Sequence, residues 1–147
     1  MNGYLLDVNV LVALAWPNHV SHTLAHQWFA QHASRGWATC PMTQAGFIRV
    51  SSNPGIIATA ASPREAHALL VRMIDHPRHR FWPDDVSLPA LPGEVVASLV
   101  GHRQVTDAYL LGLSSAHDGR IATFDRGIIN LVPERSPLRK LIVVIDG

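Results

Sequence analysis

Apolar positions fall into two kinds of pattern along the chain. Gly3-Tyr4-Leu5-Leu6-Asp7-Val8 is a short continuous apolar run interrupted only by a carboxylate. It predicts a strand buried on both faces. Val10 to Trp16 predicts a short helix stopped by Pro17. In Ser21 to His32, Leu24, Ala25, Trp28 and Phe29 form one helical stripe, and Gly36 follows as a terminator. Trp37 to Cys40 predicts a strand, and Gln44 to Ser51 a helix broken by Asn53-Pro54-Gly55. Ser62-Pro63-Arg64-Glu65 is a helix start, with Ser62 as N-cap, Pro63 in the first turn and Glu65 closing a capping box. That helix should run to about Asp75. Arg80 to Trp82 predicts a strand, Leu88 to Pro92 a loop, and Gly93 to Val100 a short helix. Thr106 is placed as the N-cap of a helix over Asp107 to Ala116. Arg120 to Phe124 and Leu141 to Ile145 are the last two strands.

Strands alternating with helices predict an α/β fold, one parallel sheet covered on both faces. In such sheets ligands bind beyond the carboxyl ends of the strands. The chain has 147 residues, which suits a single domain over 1–147. Hydrophobic residues make up 48% and charged residues 16%, enough to build a core and opposite to the balance of disorder. The net charge of +1 argues against a polycation or an acidic tail. One cysteine, Cys40, excludes an internal disulfide and a cysteine-based zinc site. No apolar run approaches a membrane span, and no basic segment precedes an apolar stretch at the N-terminus. These features predict a soluble, cytoplasmic protein. Of 12 basic residues, 11 are arginine, either a coding bias or a preference for the guanidinium fork that grips phosphate.

Three carboxylates stand apart from the rest. Asp7 ends the first strand, Asp125 ends the Ile121–Phe124 strand, and Asp107 lies in the first turn of the helix after Thr106. In a parallel α/β sheet all three reach the same pole. Singly, Asp7 reads as a helix N-cap and Asp107 as a partner of the helix dipole. Together they would repel one another, and a hard divalent cation is the usual remedy. Asn9 is placed to orient a metal-bound water or to close a turn, and Thr106 to support the metal's surroundings from its cap position.

Four stretches carry a resemblance: Leu5-Leu6-Asp7-Val8-Asn9-Val10-Leu11-Val12-Ala13-Leu14, Thr43-Gln44-Ala45-Gly46-Phe47-Ile48-Arg49-Val50, Val105-Thr106-Asp107-Ala108-Tyr109-Leu110 and Ala122-Thr123-Phe124-Asp125-Arg126-Gly127. In this order and spacing the chain resembles the PIN-domain family, specifically the VapC-type toxins of bacterial toxin–antitoxin pairs. The resemblance implies a PIN-like three-layer α/β/α fold with a mostly parallel central sheet. It implies a Mg²⁺- or Mn²⁺-dependent endoribonuclease that cuts structured RNA such as tRNA or rRNA. It also implies a homodimer and a cognate antitoxin. Asp7, Asp107 and Asp125 match the family's first, third and fourth acidic positions and are the implied catalytic and metal residues. The second acidic position departs from the family's pattern. The family often carries glutamate there; this chain has Gln44, which retains a carbonyl oxygen but brings no charge. It is assigned to positioning water beside a single well-bound ion.

Arg49, Arg103 and Arg126 flank these motifs and are candidates for RNA phosphate contacts or for salt bridges, Arg126 foremost as a substrate contact. His19, His22 and His26 recur at helical spacing, which fits a polar helix face better than a zinc site. Asp84-Asp85 and Asp118 fit turns. Trp28 belongs to the core or to a dimer interface. Two rivals stay open: a PIN-type domain that binds RNA or protein without cutting, favoured by Gln44, and a phospho-acceptor receiver domain. The second wants an acidic pair after the first strand and a lysine after a later one. This chain has single Asp7, and Lys140 precedes a strand.

Overall fold

The computed structural model describes residues 1–57 and 59–147. Among the described residues five strands form one sheet: β1 (Tyr4–Leu6), β2 (Trp37–Thr39), β3 (His79–Phe81), β4 (Arg120–Thr123) and β5 (Ile142–Val144). Their spatial order is β3-β2-β1-β4-β5 and every pairing is parallel. The chain therefore winds outward from β1 in one direction, then returns to build the other half from β4. The switch point lies between β1 and β4, where an open parallel sheet leaves a crevice at its carboxyl end.

The helices are α1 (Val8–Ala15), α2 (His22–His32), α3 (Pro41–Ser51), α4 (Pro63–Ile74), α5 (Gly93–Ala97) and α6 (Val105–Ala116). Strand alternation divides them between two faces. Leu5 and Ile121 point into a core with Ala108, Leu111 and Tyr109 of α6. Tyr4, Leu6 and Ala122 point the opposite way, to Leu11 of α1, Trp28 of α2, Phe47 of α3 and Leu70 of α4. The result is a three-layer α/β/α architecture with a wholly parallel sheet. β1 is buried along its length, as its unbroken apolar run requires.

Most predicted elements are present, with instructive shifts at their ends. α4 starts at the predicted cap, where Glu65 N donates to Ser62 Oγ at 3.1 Å and Ser62 N to Glu65 Oε1 at 3.3 Å. Ala25 and Trp28 of the α2 stripe are buried; Trp28 makes an edge contact with Tyr4 and stacks on His32. Helix α3 begins at Pro41 rather than at Gln44. Thr43 Oγ1 accepts from Cys40 N at 3.0 Å and donates to Cys40 O at 3.1 Å, so the first turn is already closed. Thr106 is not an N-cap. A 3-10 turn over His102–Gln104 runs into α6, Gln104 is the cap, and Thr106 is an exposed residue inside the first turn. Gln104 makes no side-chain cap bond to α6; its Oε1 accepts from Val100 N and Gly101 N at the start of the 3-10 turn. The segment before α5 contains a 3-10 turn at Leu88–Ala90 where a plain loop was predicted, and α5 ends at Ala97, short of Val100.

Two glycines matter for the position of the crevice. Gly3 has φ +93°, and a Cβ there would stand 2.6 Å from Gly36 O, so only glycine lets β1 and β2 start so close together. Gly46 faces Val8, and a Cβ would stand 2.5 Å from Val8 Cγ2. Its absence lets α3 settle against α1. No helix among the described residues is long and apolar enough to cross a membrane.

Candidate active site

Asp7 lies at the carboxyl end of β1 and caps α1. Its Oδ1 accepts from Val8 N at 2.8 Å, so the capping reading holds in geometry. Its second oxygen does something else: Oδ2 accepts the Thr123 hydroxyl at 2.7 Å across the β1–β4 switch point. Thr123 Oγ1 also accepts from Asp125 N at 3.0 Å and from Asn9 Nδ2 at 3.2 Å. One proton given and two lone pairs filled saturate this hydroxyl. Asn9 Oδ1 accepts from Phe124 N at 3.3 Å, fastening the start of α1 to the end of β4. Thr123 thus fixes Asp7, Asn9 and the backbone at Asp125 at once. Sequence reasoning quoted Thr123 within a motif but gave it no role. The available signal was a hydroxyl at the end of an otherwise apolar strand, two residues before a carboxylate.

Asp125 begins a 3-10 turn over Arg126–Leu131, and its Oδ1 accepts from Gly127 N at 2.8 Å. Asp107 enters from the other side of the sheet, on the first turn of α6. The three carboxylates sense one another. Burial raises the Asp7 pKa above its ordinary value, outweighing the Thr123 and Val8 hydrogen bonds, and the Asp125 charge adds to the rise. Burial, then the charges of Asp7 and Asp125, push Asp107 up to about 6. Among the described residues none of the three takes part in a salt bridge.

The donor set is therefore hard, anionic and short of positive charge, which suits Mg²⁺ or Mn²⁺. Among the described residues no three His, Cys, Asp or Glu side chains are gathered into a ready-made coordination shell. That is compatible with Mg²⁺ in particular, which keeps several waters and binds through one or two carboxylates.

Gln44 sits on α3, where Gly46 has allowed the helix to approach α1. Its Nε2 donates to Thr39 Oγ1 at 3.0 Å. Thr39 is the last residue of β2, one step beyond the Leu5–Ala38 pair, so it neighbours the end of β1. A cavity of about 400 Å³ opens beside Asp7, with Asn9 and His19 as its other polar walls and Val8, Val12, Val50, Ile56 and Ile57 as apolar ones.

The arginines are less concentrated. Arg126, which sequence placed first as a substrate contact, pairs in this structure with Asp146 just beyond β5, and both side chains are largely exposed. Arg49 is exposed on the last turn of α3, and Arg103 is exposed in the turn ahead of α6. His22 Nδ1 donates to Ala13 O at 2.7 Å and His26 Nε2 to Leu14 O at 2.8 Å. Both pin α2 to the end of α1, a structural use of the histidine spacing. Asp85 binds His117 Nε2 at 2.9 Å, and His117 stacks on Trp82.

Comparison with known proteins agrees with this geometry. Residues 4–132 match the PIN domain family. Ribonuclease VapC38 of Mycobacterium tuberculosis is 45% identical, over 95% of this chain and 99% of its own length. Ribonuclease VapC39 of the same species is 46% identical, over 84% of this chain and 89% of its own. Ribonuclease VapC29 is 42% identical, over 86% and 89%. The match spans both halves of the sheet and all three carboxylates, so the chain belongs to the PIN-domain family and to its VapC-type group.

Proposed function

We propose that this protein is a Mg²⁺- or Mn²⁺-dependent endoribonuclease, the toxin of a toxin–antitoxin pair, that hydrolyses phosphodiester bonds in structured RNA such as tRNA or rRNA and so blocks translation. The observation that supports this reading is that Asp107 feels the charges of Asp7 and Asp125 at the carboxyl end of the sheet, and that among the described residues none of the three has a salt-bridge partner. The names of the relatives support the reaction class.

Asp7, Asp107 and Asp125 would hold the ion. A divalent cation bound there supplies a water of lowered pKa and polarises the scissile phosphate. Thr123 keeps one Asp7 oxygen turned across the sheet, while Asn9 locks α1 to β4 so that the carboxylates keep their spacing. Gln44 orients the attacking water without adding charge, and Thr106, exposed beside Asp107, lies at the rim. Arg126, Arg49 and Arg103 are assigned to RNA phosphates. For Arg126 this requires only that an exposed ion pair with Asp146 exchange partners, a cost of about 0–1 kcal/mol. The partners are an RNA substrate, a cognate antitoxin and a second copy of the chain, in the cytoplasm.

The second reading is a PIN domain that binds RNA or protein without cleaving it, favoured by Gln44 at a position the family often gives to glutamate. One experiment separates the two. Purified protein free of antitoxin is incubated with total cellular RNA in Mg²⁺, in Mn²⁺ and in EDTA, beside Asp7→Asn. Discrete fragments that need metal and vanish with Asp7→Asn establish the nuclease. Folded protein that cuts nothing with either metal favours the binder, and Gln44→Glu then tests whether the missing charge is the reason.

A further inference from the structure

Glutamine replaces a glutamate oxygen well only if its amide is turned the right way. A carboxylate offers an acceptor from either oxygen, whereas an amide offers an acceptor from one end and a donor from the other. A chain with Gln44 at this position needs something to choose the end. Gln44 Nε2 donates to Thr39 Oγ1 at 3.0 Å, and no partner holds its Oε1 among the described residues. Among the described residues Thr39 Oγ1 makes one further hydrogen bond, 2.7 Å to His79 Nε2. Thr39 is fully buried, so its single proton must be placed within the protein. Having accepted from Gln44, it completes the pair by donating to His79 Nε2. That arrangement requires His79 to be neutral with its proton on Nδ1.

We propose that His79, at the edge strand β3, is a positioning residue that acts through Thr39 to hold the Gln44 amide with its oxygen presented toward the metal-bound water, so that glutamine imitates glutamate. The inference rests on the nuclease reading for its catalytic consequence, while the amide orientation itself is a property of the folded chain.

The surroundings of His79 favour the neutral ring. Burial lowers its pKa and the neighbouring His76 lowers it further. The Trp37 ring of β2 packs against it with centroids 4.8 Å apart, and Trp37 Nε1 is itself committed to His76 Nδ1 at 3.2 Å. His76 Nδ1 also accepts from Arg78 N at 3.1 Å, so His76 is held by the turn and does not compete for Thr39. If His79 instead carried its proton on Nε2, it would donate to Thr39. The hydroxyl proton would then face the amide nitrogen, and Gln44 would have to turn over and present its NH₂.

Two measurements test this. The first is the ¹⁵N tautomer pattern of His79 and the side-chain amide signals of Gln44 in metal-free protein at neutral pH. An Nδ1–H tautomer is expected, with Gln44 amide signals displaced by His79→Leu; an Nε2–H tautomer overturns the proposal. The second is cleavage kinetics in two backgrounds. With Gln44 present, His79→Leu and Thr39→Val should lower kcat about fivefold, the worth of one misplaced hydrogen bond, with KM little changed. His79→Gln, whose carbonyl can take the place of Nε2, should restore most of the loss. In a Gln44→Glu background, His79→Leu should have no effect on kcat, because a carboxylate needs no turning. An equal loss in both backgrounds makes His79 merely structural and overturns the proposal. Should the unaltered chain cut no RNA, the nuclease reading fails, and the tautomer experiment still decides the orientation.

Discussion

Asp107 shows how burial and neighbouring charges at a single residue act on stability. Its folded pKa of about 6 lies above the ordinary carboxyl value of 3.8. Between those values the folded chain holds a proton that the unfolded chain releases, so metal-free stability falls as pH rises through the window and stays low above it. Asp107→Asn should therefore stabilise the metal-free protein at pH 7.5 by about 1–2 kcal/mol, allowing for the screening of a partly exposed group, and by almost nothing at pH 4. Denaturant unfolding in EDTA at the two pH values checks this, and a loss of stability at pH 7.5 would show that the carboxylates are not in conflict. Thr123 behaves in the opposite sense. Thr123→Val keeps the shape but leaves Asp7 Oδ2, Asn9 Nδ2 and Asp125 N without their partner, a cost of about 1–3 kcal/mol. The same unfolding experiment reads it, and cleavage should fall with it. The three aspartates could be picked out from the sequence because each follows or opens a regular element. Thr123 could not, because a saturated hydroxyl looks like any strand threonine until its three partners are placed.

At the scale of elements, the approach of α3 to α1 brings Gln44 to the end of β2. Gly46 makes that approach possible by leaving room for Val8. In an isolated helix Gly→Ala would gain about 1 kcal/mol. Here Gly46→Ala should instead cost about 1–3 kcal/mol from overpacking and should reduce cleavage by displacing Gln44. Adding Val8→Ala should recover much of that stability; thermal unfolding of the two single variants and the double variant measures the coupling, and additive effects would count against the contact. The start of α4 was readable because Ser62, Pro63 and Glu65 carry their capping chemistry locally. The start of α6 was misread for the same kind of reason. Thr106 has the right chemistry for a cap, but the His102–Gln104 3-10 turn runs straight into α6 and places Thr106 inside the helix, while Gln104 Oε1 closes the start of that turn at Val100 N and Gly101 N.

At the scale of the whole molecule, the β3-β2-β1-β4-β5 order brings to the carboxyl end of the sheet, with Asp7, carboxylates that lie 100 and 118 positions beyond it in the chain. If these carboxylates hold the ion as proposed, protons and metal compete for one site. Mn²⁺ should raise the melting temperature at pH 7.5, with about 2.7 kcal/mol of stabilisation at a hundredfold excess over Kd, and should do so far less at pH 5, where Asp107 takes up a proton. A metal shift of equal size at both pH values would place the ion elsewhere. The alternation of short apolar runs with amphipathic stretches was enough to give a parallel α/β sheet, the pole at which its strands end and three aspartates placed at that pole, because burial and periodicity are written locally in the residues. The hub at Thr123, the passage for α3 at Gly46, the pairing of Arg126 with Asp146 and the turning of Gln44 by Thr39 and His79 were decided only in three dimensions. Each depends on which groups from distant segments arrive to satisfy a hydrogen bond, a charge or a gap, and no local pattern records its partner.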